Sequence, residues 1–167
     1  MFKKILVALD HSKADAFLLP YIKDLARLTG AELVLLHVST GWAAQWQENL
    51  NLSDSKEIRE DREYLEKVSA ELRGENLRVT VRHESGEPAR AILKTSTAEH
   101  CDLIAMTTHG HRLISDVIHG TTITKVRHES DIPIFLVKAE MDRQGGKSKH
   151  PIRIGWPVSN FELRFSC

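Results

Sequence analysis

The chain has 167 residues, 41% of them apolar and 28% charged, which suffices for one domain with a real core and is too few for two comfortable ones. Lys plus Arg and Asp plus Glu number 23 each, so no net field steers the protein toward nucleic acid or an anionic membrane. The two cysteines are Cys101 and the terminal Cys167, which make no disulfide framework and fit a reducing cytoplasm.

The opening MFKKILVALDHS carries a basic pair and a short apolar run that meets Asp10 at once. It reads as a strand and not as an export signal, and no apolar run in the chain approaches a membrane span. Ile5–Leu9 is continuously apolar, the pattern of a strand buried on both faces. Asp10 and Ser12 can cap a helix over Lys13–Thr29, with Leu18, Ile22, Leu25 and Ala26 on one face and Gly30 as its stop. Glu32–Val38 is a second buried strand, and residues 39–52 form a long loop containing Trp42 and Trp46. Ser53–Arg73 is a charged amphipathic helix with Ile58, Leu65, Val68 and Leu72 inward. Leu77–His83 alternates like a strand with one wetter face.

Gly86-Glu87-Pro88 starts the next helix, with Pro near its first turn and Ala91, Ile92 and Ala98 on its apolar side. Leu103–Met106 is the fourth strand. A short helix over Ile114–His119 and a longer one over Thr121–Glu129 precede the last strand, Ile134–Val137. This order is β-α-β-α-β-α-β-α-β, and right-handed crossovers make it a parallel sheet with helices on both faces. Residues 139–167 break the pattern: a polar, Gly-containing linker leads into a segment with Trp156, Phe161 and Phe165 but no helical period.

The chemistry concentrates between Cys101 and Lys138. An apolar strand runs into a loop holding Gly110, and Gly120-Thr121 then opens a helix. Glycine lets backbone approach a ligand closely, and the free N–H groups and positive dipole end of a helix attract phosphate. The pairing points to a phosphate cradle at the carboxyl end of a parallel strand, where open α/β sheets bind ligands. His109, His111 and His119 surround the same loop, but their spacing matches no standard zinc pattern, so no metal ligands are assigned; a hydrogen bond from His109 or His111 to phosphate is the better reading.

The blocks KKILVALDHS, LVLLHV, GEPARAI, CDLIAMTTHG and GTTITKVRHESDIPIFLV, in this order and spacing, resemble the universal stress protein family. The resemblance covers Met1 to Lys138, leaving 139–167 as an extension. It implies a Rossmann-like five-stranded parallel sheet in order 3-2-1-4-5, dimers and, in one subgroup, bound ATP. The last strand, Ile134–Val137, is short, apolar and at the sheet edge, which invites a homodimer through its twofold copy, and Mg²⁺ would accompany the phosphates of ATP. That subgroup is marked by G-x2-G-x9-G-[ST], matched here by Thr107, Gly110, Gly120 and Thr121, with Thr107 in place of the first glycine. By the same resemblance Ala8, Leu9, Val38 and Met106 line the adenine pocket and Asp10 reaches toward ribose or adenine. Thr121 and Thr122 offer phosphate their hydroxyls and N–H groups, and in family members such hydroxyls can themselves be phosphorylated.

Three functions from different classes follow. The first is an ATP-binding regulatory module acting in stress. The second is a nucleotide-free dimeric stress protein working as an interaction surface, favoured by Thr107. The third is an enzyme of the wider nucleotide-binding α/β group. His109-Gly110-His111 superficially resembles the nucleotidyl transferases' His-Gly-His, but it follows the fourth strand instead of the first. With no Walker A pattern and no paired acid and base, slow ATP hydrolysis is the most catalysis the sequence supports.

Overall fold

The computed structural model describes residues 1–40, 56–108 and 119–139, and of residues 57 and 119–121 the backbone alone. The strands are β1 Lys4–Leu9, β2 Glu32–Ser39, β3 Val79–Ser85, β4 Leu103–Thr107 and β5 Ile134–Val137. The helices between them are α1 Asp15–Thr29, α2 Lys56–Gly74, α3 Pro88–Ala98 and α4 His119–Glu129. All paired strands are parallel, in the expected order β3-β2-β1-β4-β5.

Alternation along each strand sorts the core into two layers. Ile5, Val7, Leu9, Leu33, Leu35, Leu103 and Ala105 meet Leu18 and Ile22 of α1 and Leu65 and Leu72 of α2. Leu6, Val34, Leu36, Ile104 and Met106 meet Ala89 and Ile92 of α3 and Val126 of α4. A helix pair therefore covers each face, which is why the strands read as continuous apolar runs.

Several boundaries move from their expected places. α1 begins at Asp15 because Asp10 and Ser12 spend their oxygens on the preceding turn: Asp10 Oδ1 accepts from the Ser12 N–H at 3.2 Å and Ser12 Oγ from the Ala14 N–H at 3.1 Å. β3 begins at Val79 because the Leu77 N–H still closes the end of α2 on the Leu72 carbonyl at 3.2 Å. α3 starts as expected at Pro88, with Glu87 as its cap accepting from the N–H groups of Ala89 and Arg90. Ahead of it Gly86 takes a φ of 118°, and a Cβ there would meet no atom, so glycine is required by backbone conformation and not by space. Ala98 is exposed, and Ala89, Thr95 and Ser96 join Ala91 and Ile92 on the buried side instead. α4 begins at His119, two residues before the expected start. Trp42, Trp46, the Ile114–Ile118 part of the proposed short helix and the extension after Ala139 lie outside the described residues.

The start of β1 is clamped to the lead-in of β4, where the Asp102 carboxylate accepts from the N–H groups of Lys3 at 2.7 Å and Lys4 at 3.0 Å. β5 stands at one edge of the sheet and is only four residues long.

Leu36 is fully buried between β1 and α3, whereas Leu28 on α1 is 75% exposed. Leu36→Ala is expected to cost about 2–5 kcal/mol in urea unfolding, and Leu28→Ala less than about 0.5 kcal/mol.

Candidate functional site at the carboxyl edge of the sheet

The carboxyl ends of β1, β2 and β4 meet in the sheet, because Ala8 pairs with Leu36, Leu9 with His37 and Val7 with Ala105. Ala8, Val38 and Met106 all point to the α3/α4 side, where Ala8 and Val38 are half-buried against the cluster that holds Met106. The three make a small apolar surface at the mouth of that layer. α4 joins the parallel strands β4 and β5, so its N-terminus stands at the same edge. Gly120, Thr121 and Thr122 lie in its first turn, whose N–H groups have no partner within the helix.

Other expected residues fall differently. The Leu9 side chain is buried in the α1/α2 layer, so it faces away from Ala8 and Val38. Thr107 ends β4, half-buried, one residue past Met106 and therefore on the opposite face. His109 and Gly110 lie outside the described residues.

Asp10 stands just after β1, half-buried, and its N–H donates to Asp15 Oδ1 at 3.3 Å. Asp15 is almost fully buried and accepts from the Tyr64 hydroxyl at 2.7 Å. Burial first, and the Asp10 charge second, push the Asp15 carboxyl up to about 7. Burial and the Asp15 carboxylate likewise raise the Tyr64 phenol above its usual value. Between Asp10 and Ser12, His11 takes a left-handed φ of 57°, stacks on Tyr64 with ring centroids 4.3 Å apart, and places Nδ1 2.7 Å from Asp61 Oδ1. A non-glycine residue held in that region is strained and needs surrounding contacts to hold it.

Sequence reading missed a second group. His37 of β2 and His83 of β3 are register partners, and Asp61 of α2 lies over them. His37 Nδ1 is 3.0 Å from the Leu9 carbonyl, and its Nε2 is 3.1 Å from Asp61 Oδ2. His83 Nε2 is 3.0 Å from Ser39 Oγ, and the His37 and His83 rings stack at 5.7 Å. One ligand atom from each of His37, Asp61 and His83 lies within 4.8 Å of the others. The only sequence signal was a histidine at the end of each of two neighbouring strands.

On the opposite layer, Glu87 ties two helices together by accepting from Lys125 of α4 at 3.1 Å. Burial pushes its carboxyl up, but the Arg90 N–H, Lys125 and the Ala89 N–H together outweigh it and hold the carboxyl below the usual range.

Fold and edge geometry define a doubly wound α/β domain of the Rossmann-like class. The universal stress protein family model matches residues 1–138, and the chain belongs to that family. Among its relatives is a universal stress protein of Methanocaldococcus jannaschii, 26% identical over 155 residues that span 83% of this chain and 96% of the relative. The solved structure of that archaeal protein superposes with a TM-score of 0.73 at 27% identity, covering 85% of this chain and 99% of the other. A universal stress protein of Thermus aquaticus is 30% identical over 142 residues, 83% of this chain and all of the relative. More distant structures share the fold, including one from Archaeoglobus fulgidus in complex with dAMP, at 18% identity and a TM-score of 0.60 over 80% of this chain and 96% of the other.

The Asp15 carboxyl generates a pH test. Its folded pKa, about 7, lies above the ordinary 3.8, so the folded state binds the extra proton and stability falls as pH rises from about 4 to about 7. Asp10, Tyr64 and His11 are the titratable neighbours on this side and remain in both proteins. Asp15→Asn is therefore expected to flatten the decline, read as the difference between the two proteins in melting temperature across that pH range.

Proposed function

We propose that the chain is an ATP-binding regulatory module whose nucleotide occupancy reports energy state or stress. The observation that carries this reading is the convergence of Ala8, Val38 and Met106 on one face beside the first turn of α4. The adenine ring lies on that apolar surface. The Asp10 carboxylate, which accepts from the Ser12 N–H, has further lone pairs for a ribose hydroxyl. The phosphates meet the first-turn N–H groups at Gly120, Thr121 and Thr122, and the sequence pattern assigns Gly110 and His109 to the same ligand. Mg²⁺ bound together with ATP would offset the phosphate charge beside Gly120, Thr121 and Thr122. A relative's dAMP complex supports an adenine nucleotide as the ligand class, as does a further structure of the same fold in complex with cAMP, 14% identical with a TM-score of 0.61. A cytoplasmic setting fits the buried, unpaired Cys101.

Thr107 supports a second reading, a nucleotide-free stress protein acting as a dimeric interaction surface. It is half-buried at the end of β4, where the nucleotide-binding pattern has glycine.

Calorimetry with Mg²⁺ present separates the two. ATP is expected to bind at least about tenfold more tightly than GTP, because the apolar lining offers the guanine amino and carbonyl groups no partner. Gly120→Val is expected to abolish that binding with the fold intact, since a β-branched side chain would crowd the free N–H groups. Thr107→Gly is expected to tighten it. Absence of heat with ATP would transfer the assignment to the second reading.

We also propose that the module is a homodimer through β5. Among the described residues the strand has one partner in the sheet, and its Leu136 is 40% exposed. An uncovered apolar edge invites a second copy. Light scattering is expected to give twice the chain mass, and Leu136→Lys to shift it to the monomer, with the circular dichroism spectrum unchanged.

A further inference from the structure

We propose that His37, Asp61 and His83 form a zinc site, on the face of the sheet opposite the nucleotide surface. The His37 ring lies between two acceptors, the Leu9 carbonyl and Asp61 Oδ2. A carbonyl oxygen can only accept, so the 3.0 Å contact with Leu9 assigns the ring hydrogen to Nδ1. In the neutral ring, Nε2 then turns its lone pair toward Asp61 Oδ2 at 3.1 Å. Two acceptors face each other between residues that are 5% and 7% exposed. A positive species belongs between them, and the third donor, His83, stands within 4.8 Å of both ligand atoms.

The surroundings are those of a metal centre. A metal-bound histidine usually donates its other N–H to a carbonyl or carboxylate, and its ligating carboxylates are hydrogen-bonded in turn. Leu9 does this for His37, His11 Nδ1 holds the other oxygen of Asp61 at 2.7 Å, and Ser39 orients His83 at 3.0 Å. Neighbouring ligand atoms around tetrahedral zinc lie about 3.4 Å apart. The His37–Asp61 separation is already close to this, and His83 needs to close by at most about 1.4 Å.

The donor set favours a transition-series or zinc ion over the alkaline earths. Two imidazoles and one carboxylate suit Zn²⁺, whereas Mg²⁺ and Ca²⁺ want six or more oxygens. Water fills the fourth position, and half-buried His83 gives the centre a route to solvent. Bound there, the ion ties β2 and β3 to α2. His37 is also the chain neighbour of Val38, so the centre sits directly behind the proposed adenine surface.

The test uses the full chain without nucleotide, stripped with a chelator and titrated with ZnCl₂, with MgCl₂ as control. One Zn²⁺ per chain is expected, with a rise in melting temperature that Mg²⁺ does not give. Asp61→Asn and His83→Gln, both near-isosteric, are expected to weaken zinc binding by at least about 100-fold. Nitrogen-15 NMR of the histidine rings needs no variant. Zinc is expected to shift Nε2 of His37 while its Nδ1–H persists. No stoichiometric binding by the folded protein would overturn the proposal and leave a protonated His37–Asp61 pair. Unchanged affinity in both variants, or unshifted His37 and His83 signals, would equally overturn it by placing zinc elsewhere. None of these readings depends on whether the protein binds ATP.

Discussion

A parallel strand covered on both faces sends successive side chains into two different layers, and this alternation is the constraint from which the rest follows. β2 shows it most clearly. Leu33 and Leu35 enter the α1/α2 layer, Val34 and Leu36 the α3/α4 layer, and at the end of the strand His37 and Val38 part in the same way. The polar group and the apolar surface at the carboxyl edge are thus held back to back by one strand. β2 is itself held by β1 and β3 and covered by helices on both faces, so neither residue can change layers without breaking the core.

The turn after β1 carries the charged side of this edge. Asp10, His11 and Asp15 reach into a space bounded by Tyr64 and Asp61, which are one helical turn apart on α2. Burial raises both the Asp15 carboxyl and the Tyr64 phenol, the Asp10 charge adding to the first and the Asp15 charge to the second, while the hydrogen bond from Tyr64 works against the rise at Asp15. Isolated in water neither would move. The raised Asp15 is a property of where α1 starts, since the turn rather than the helix takes the oxygens of Asp10 and Ser12.

Much of the fold was legible because it is written locally. Continuous apolar runs marked β1, β2, β4 and β5, and Gly30 and Pro88 marked helix ends through their own backbone preferences. Boundaries slipped where an apolar residue serves packing outside regular structure. Leu77 is buried like a strand residue but belongs to the turn closing α2. For the nucleotide surface, Ala8, Val38 and Met106 were named from the family resemblance, and the structure gathers them on one face. Leu9 was named with them and turns to the other face, which follows from counting residues along the strand. The His37–Asp61–His83 group was not legible. Register between β2 and β3 joins residues far apart in the chain, and Asp61 looked like any other charge on an amphipathic helix.

The strand order also shapes how the chain comes off a ribosome. β1 can pair with β2 as soon as Ser39 has emerged, but its other edge waits for β4, which begins at Leu103. Synthesis at about 5–20 residues per second leaves that central edge unpaired for on the order of 3–13 seconds. During this interval Ile5, Leu6 and Val7, each fully buried in the finished molecule, border open backbone. The nascent chain is therefore most prone to wrong pairing at its own centre, and the Asp102 clamp on Lys3 and Lys4 arrives at the moment that closes the gap.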